Sequence, residues 1–426
     1  MARFRQNTSQ QFRIMIAFKR FVLSNGLRVI VHEDNSTPFV SCNVVYNVGS
    51  KDENPDFTGM AHLFEHYMFS GSKNIPDYDF HLQKIGAVNN AFTTQDLTQY
   101  YSIVPANNFE IPLWLEADRM LELAFNERQL EVQKNVVSEE FKENFLNVPF
   151  GDMWLIFNDF LYDKMPYKWL PIGKSLDHIA KVDMPLMKDF YYKFYRPNNA
   201  VLVLAGNVVA EEVMPAVEKW FGDIPAAAPK PTSYPEDSPQ TAERRLTVKR
   251  AVPYDMLIKG WKCCGRLHDD FYALDLISDL FGSGHSSFLY KKFVIDEKLF
   301  VDLTAYISET LLTNVFMIIG NPAEGVSIEE ADKKLSDFLY NFQYSIDIET
   351  DLQKVKNKAE SALLAGEIRV DDRASALGIA ETFCKADAVL YRRDKYFAVA
   401  TEQLRHVTSN LFLPETCNTL FYKAEK

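Results

Sequence analysis

A chain of 426 residues exceeds the usual size of one domain, so two or more cores are expected, and two is the reading adopted. Its 47% hydrophobic and 24% charged residues are ordinary for a globular protein, and no unbroken apolar run reaches the length of about 18 residues that would indicate a membrane span. With 46 Lys and Arg against 58 Asp and Glu, the net charge of -12 argues against sequence-independent nucleic-acid binding, which needs clustered cations. The acidic excess either lines a chamber suited to basic peptides or keeps the surface solvated.

Residues 1–17 are expected to be an N-terminal extension. Residues 1–32 carry Arg3, Arg5, Arg13, Lys19, Arg20 and Arg28 but no acid, a composition shared with organellar transit peptides and equally with an upstream stretch before a start near Met15. The five cysteines (Cys42, Cys263, Cys264, Cys384, Cys417) show no Cys-x-x-Cys spacing, which favours a reducing compartment and a cytoplasmic location, the organellar one being the alternative. A first domain is expected over 18–224. It opens with strands at Phe21–Leu23 and Leu27–Val31 around the turn Asn25-Gly26, and a third strand over Ser41–Val48. A polar loop then leads to a helix over 58–69, with Thr58 as its cap.

That helix carries His62-Leu63-Phe64-Glu65-His66. Residues three and four apart share a helical face, so two imidazoles can hold one zinc ion. Glu65, between them, is then placed to take a proton from a zinc-activated water and pass it to a leaving amine. The His-x-x-Glu-His order is the mirror of His-Glu-x-x-His. The bland alternative is an amphipathic helix whose polar face happens to carry these residues. A catalytic zinc needs one more protein ligand from elsewhere in the chain.

A helix over Tyr78–Ile85 precedes Asn89–Asp96 and the β-rich segment Leu97–Val104. An exposed edge at Asn90, Ala91 and Phe92 would hold a peptide by adding it as a strand; an ordinary internal hairpin is the alternative. Residues 108–147 read as largely helical, and Arg128–Phe145 carries the candidates for the third ligand. The adjacent Glu139 and Glu140 point about 100° apart, so only one faces the metal, and Glu143 is placed to support Glu140. Asp183 caps a helix to about Tyr192, Pro197 turns the chain, and Ala200–Ala205 is an apolar strand.

Residues 225–242 are a Pro-rich linker, after which the pattern repeats. Arg28–Val31 is echoed by Arg245–Val248, Pro197 by Pro414, and Asp183–Phe190 by Thr401–Val407, about 217 positions later. The expected fold is therefore α+β, in two homologous domains of mainly antiparallel sheet packed with helices, the second spanning 243–426. There Ala273–Phe281 takes the place of the motif helix without histidine or glutamate, so one domain is expected to be catalytic and the other scaffold.

These residues resemble the pitrilysin or insulinase superfamily, in particular the short two-domain members similar to mitochondrial processing peptidase subunits and their bacterial relatives. Besides the motif, the likeness rests on Gly59-Met60-Ala61, Asn90-Ala91-Phe92-Thr93, Lys134–Glu140, Tyr195–Asn199 and Phe281–Gly284. It selects Glu140 as the third zinc ligand and implies a zinc endopeptidase acting on extended peptides or unfolded segments inside a closed chamber. Two departures stand out. Gln133 occupies a place, seven residues before Glu140, where many relatives have an acid that assists the site. Val294 and Val301 stand where many have an arginine and a tyrosine from the second domain. The resemblance therefore implies a dimer, in which a related subunit can supply the arginine and tyrosine. The competing expectation is a non-catalytic or partner-dependent assembly subunit of the same fold.

Overall fold

The computed structural model describes residues 16–228, 233–344 and 348–425, so most of the expected N-terminal extension lies outside the described residues. The first sheet comprises β1 (Lys19–Val22), β2 (Arg28–Glu33), β3 (Phe39–Tyr46), β4 (Val88–Thr93), β5 (Thr98–Pro105) and β6 (Ala200–Gly206), in the order β1-β2-β6-β3-β5-β4. The turn between β1 and β2 uses Gly26 at φ 87°, a conformation that glycine adopts without a Cβ penalty. The second sheet comprises β7 (Arg244–Arg250), β8 (Met256–Cys264), β9 (Phe300–Ile307), β10 (Thr313–Pro322) and β11 (Cys417–Ala424), in the order β7-β11-β8-β10-β9.

Apart from β1 the two orders are the same, and both carry one parallel pair, β2 with β6 and β7 with β11, in an otherwise antiparallel sheet. The repeat is thus a repeat of topology. Equivalent helices begin at Met184 and Thr401, the turns after them at Pro197 and Pro414, and the strands that follow at Ala200 and Cys417, a constant offset of 217. The helix Phe271–Gly282 lies between β8 and β9 as the motif helix lies between β3 and β4.

Each sheet has apolar residues on both faces, as expected of sheets covered on both sides. On one face the first sheet packs Val29, Val44 and Leu202 against Leu63, Phe64 and Tyr191. On the other, Ile30, Val45, Val201 and Val203 meet Ala374 and Leu377, which belong to the helix Val370–Phe383 of the second half. The second sheet is treated reciprocally. Its Ile258, Val315 and Leu420 are covered by Phe157 and Leu161 of the helix Met153–Leu161, which comes from the first half. Both contacts use a glycine to bring the layers close: a Cβ on Gly378 would lie 2.8 Å from Val45 Cγ2, and one on Gly260 would lie 2.7 Å from Phe157 Cζ.

Asp237, in the Pro-rich connection, ties the halves further. Its Oδ1 accepts hydrogen bonds from the amides of Asp163, Lys164 and Met165, and Lys262 Nζ donates to its Oδ2 at 3.0 Å. The five cysteines are free. Among the described residues no helix is long and apolar enough to cross a membrane.

Candidate metal centre

The motif helix spans Met60–Tyr67, shorter than the expected 58–69, and its cap is Gly59 and not Thr58. Gly59 sits at φ 92°, where a side chain would be strained, and a Cβ there would lie 2.4 Å from Ile179 Cδ1. Thr58 faces elsewhere: its hydroxyl is 2.9 Å from His178 Nδ1 and accepts from the Lys174 amide. The amides at the helix start are met instead by Glu53, whose two carboxylate oxygens accept from Gly59 N at 2.9 Å and Ala61 N at 2.8 Å. A buried acid thereby satisfies two donors that a helix start leaves open.

One turn of this helix brings His62 and His66 together, with their Nε2 atoms 3.3 Å apart. The second helix, Glu127–Phe141, starts at Asn126, whose side chain accepts from the amides of Arg128 and Gln129. It delivers Glu140, with Oε2 3.7 Å from His62 Nε2 and 3.5 Å from His66 Nε2. Glu139 is turned outward and paired with Lys142 at 2.6 Å, so the two adjacent acids divide as helical geometry requires. A tetrahedral zinc with bonds of about 2.0–2.1 Å holds its ligand atoms about 3.3–3.4 Å apart. The spacing and the donor types at His62, His66 and Glu140 fit that ion, and this is the one such group found among the described residues.

Burial sets the charge states. It pushes the His62 imidazole down to about 4, with the neighbouring His66 adding to the effect, and it lowers His66 as well. Neutral imidazoles are the form that binds metal. Burial likewise raises the Glu65 carboxyl to about 7, against the hydrogen bond from Thr93 and with the help of repulsion from Glu140. Thr93 Oγ1 donates to Glu65 Oε2 at 2.5 Å. Sequence reasoning did not single out Thr93 as a site residue; the stretch Asn90-Ala91-Phe92-Thr93 contained it, but its approach to Glu65 depends on how β4 docks against the motif helix.

The other expected residues fall as follows. Asn90, Ala91 and Phe92 lie on β4, which is the end strand of the first sheet and pairs on its inner side with β5. The Ala91 amide donates to Asn90 Oδ1 at 2.8 Å. Gln133 Nε2 donates to Ser70 Oγ at 3.2 Å and so links the ligand helix to the segment just after His66. Glu143 lies beyond the end of the α-helix, in a π turn over Lys142–Leu146, and is exposed. Val294 is half-buried against the second core, and Val301 projects from β9 with 65% exposure. Neither carries a hydrogen-bond donor on its side chain.

Residues 28–148 match the family model for insulinase (peptidase family M16), and residues 181–358 match the one for the peptidase M16 inactive domain. A zinc protease of Helicobacter pylori, PqqE, is 30% identical over 340 residues, which cover 78% of this chain and 76% of that one. The zinc protease YmxG of Bacillus subtilis is 24% identical over 348 residues, covering 81% and 83%. The crystal structure of a protease from Helicobacter pylori superposes with a TM-score of 0.88 at 25% identity, over 96% of this chain and all of that one. With a zinc-type cluster on one half, a topological twin without it on the other, and these relatives, the chain belongs to peptidase family M16, the insulinase family.

Proposed function

We propose that the chain is a zinc-dependent endopeptidase that hydrolyses extended peptides or unfolded segments. The observation that carries this reading is the convergence of His62, His66 and Glu140 at the spacing of a tetrahedral ion, with the Glu65 carboxyl beside them. His62, His66 and Glu140 are the zinc ligands, and zinc, when bound, supplies the Lewis acid that polarises the scissile carbonyl. Glu65 is the general base. Thr93 holds its Oε2, so Oε1 takes the proton from the attacking water and hands it to the leaving amine nitrogen. The substrate backbone is oriented as an added strand on the open edge of β4, along Asn90, Ala91 and Phe92, a mode of binding that selects extended chains with little demand on side chains.

Hydrolysis of a quenched fluorogenic peptide library, measured beside zinc content, tests this reading. The native chain should cleave. Glu65→Gln should bind zinc equally and lose at least about 10² in rate. A Glu65→Gln variant as active as the native chain would remove Glu65 from the mechanism.

One observation favours a second reading. The side chains of Val294 and Val301 offer nothing to a developing oxyanion, and loss of one such donor costs about 10²–10³ in rate. In this reading the chain acts in a dimer, and a related subunit brings the arginine and tyrosine. Zinc binding with no cleavage by the purified chain, restored by a related subunit, is its signature; a stable monomer with full activity in size-exclusion chromatography would sink it. Chains free of zinc, with neither rate changed by Glu65→Gln, would point instead to an assembly subunit.

A further inference from the structure

In the second half, away from the His62 cluster, Arg392 faces two cavities with no anion bonded to it. Arg392 lies on the helix Ala388–Ala398, is half-buried, and makes no hydrogen bond or ion pair with any described residue. Burial, and then the nearby Arg266 guanidinium, hold it below the ordinary arginine value against the opposing pull of Tyr272, Glu309 and Tyr396. The charged groups around it are already matched. Arg266 Nη1 lies 3.1 Å from Glu309 Oε2, Tyr396 Oη donates to Asp275 Oδ2 at 2.5 Å, and Lys358 Nζ lies 2.6 Å from Asp279 Oδ1. No Arg392 nitrogen is among the buried polar atoms without a partner, so its donors are open to solvent and can receive an anion from outside the chain.

Arg392 opens onto two cavities that share part of their lining, one of about 180 Å³ and one of about 640 Å³. Leu363 and Ile379 line both, and Phe271 and Phe383 complete the apolar wall of the smaller one. A free cationic fork beside an apolar recess is a pattern with a defined complement.

We infer that this cleft binds a small carboxylate with an apolar or aromatic tail, the guanidinium of Arg392 receiving the carboxylate and Leu363, Ile379 and Phe383 covering the tail. An arginine fork matches a carboxylate through two parallel hydrogen bonds. A single guanidinium without a bonded partner suits one negative charge, and Glu309, Asp275 and Asp279 repel a dianion such as phosphate more strongly than a monoanion. The smaller recess lies below the range of about 300–1,000 Å³ usual for drug-sized ligands, so the tail is no larger than a single side chain. The same chemistry is offered by a free organic acid and by the C-terminal residue of a peptide.

Calorimetric titration of the full, zinc-loaded chain distinguishes these sources and tests the site. The probes are N-acetylphenylalanine, its amide, and a pentapeptide ending in phenylalanine with a free carboxylate. The acid should bind, the amide should bind about tenfold or more weakly, and Arg392→Gln should weaken the acid to the level of the amide. Binding of the pentapeptide as well assigns the site to peptide C-termini; binding of the acid alone assigns it to free acids. Arg392→Gln should melt close to the native chain, because it breaks no hydrogen bond or ion pair to a described residue, and should keep its zinc. Arg392→Lys serves as the second variant, expected to bind weakly because the fork is lost. Acid binding that survives both substitutions, as a carboxylate on the zinc would, overturns the proposal, and so does equal binding of acid and amide or no binding of any probe.

Discussion

Glu65 has two oxygens with different fates. Oε2 is held by Thr93, and that bond fixes the plane of the carboxyl while leaving Oε1 available. Thr93→Val keeps the shape of the side chain and removes the donor. A hydrogen bond to a charged group contributes about 1.5–3 kcal/mol, so kcat for peptide hydrolysis should fall by about tenfold or more while zinc content and KM stay near native. An unchanged kcat would show that Glu65 is oriented by packing alone. The contrast between the two residues also marks how far a sequence reaches at this scale. His62, Glu65 and His66 are legible because one helical turn determines their proximity; Thr93 is not, because its contact with Glu65 exists only once a strand and a helix far apart in the chain have docked.

The motif helix shows the same limit at the scale of an element. Its existence follows from local spacing, but its first residue does not. Thr58 has the chemistry of a cap, yet tertiary contacts with His178 and Lys174 claim its hydroxyl, and the chain enters the helix through Gly59 in the left-handed region. Ile172 and Ile179 crowd that position: a Cβ would lie 2.9 Å from Ile172 O. Gly59→Ala therefore combines backbone strain with overpacking and should destabilise by about 2–4 kcal/mol. Because the affected bonds run from Gly59 and Ala61 to Glu53, the loss should appear as weaker zinc retention during dialysis against a chelator as well as a lower melting temperature. Native zinc retention in this variant would uncouple the helix start from the ligands. The ligand helix was equally readable up to Phe141, and the π turn after it was not, since a change of pitch leaves no mark in the periodicity of so short a stretch.

The repeat at an offset of 217 made two copies of one unit visible, but not the exchange of helices between them. The helix Val370–Phe383 carries small residues, Ala374, Gly378 and Ala380, that give no strong apolar stripe, and its partners Val45 and Val203 lie in the other half. Sequence alone thus suggests two independent cores on either side of a linker, whereas the structure has each half's sheet completed by the other. A fragment ending near residue 224 would expose Ile30, Val45, Val201 and Val203, and one starting near 243 would expose Ile258, Val315 and Leu420. Contiguous apolar faces of that kind drive association. The halves expressed separately should therefore be aggregated or loosely packed, binding a hydrophobic dye, whereas the two co-expressed should associate and recover zinc binding at His62, His66 and Glu140. A sharp melting transition from either half as a soluble monomer would show that the exchanged helices are dispensable. The expected failure of the isolated first half would tie the metal centre, although all its ligands lie within 80 positions of one another, to a helix that begins at Val370.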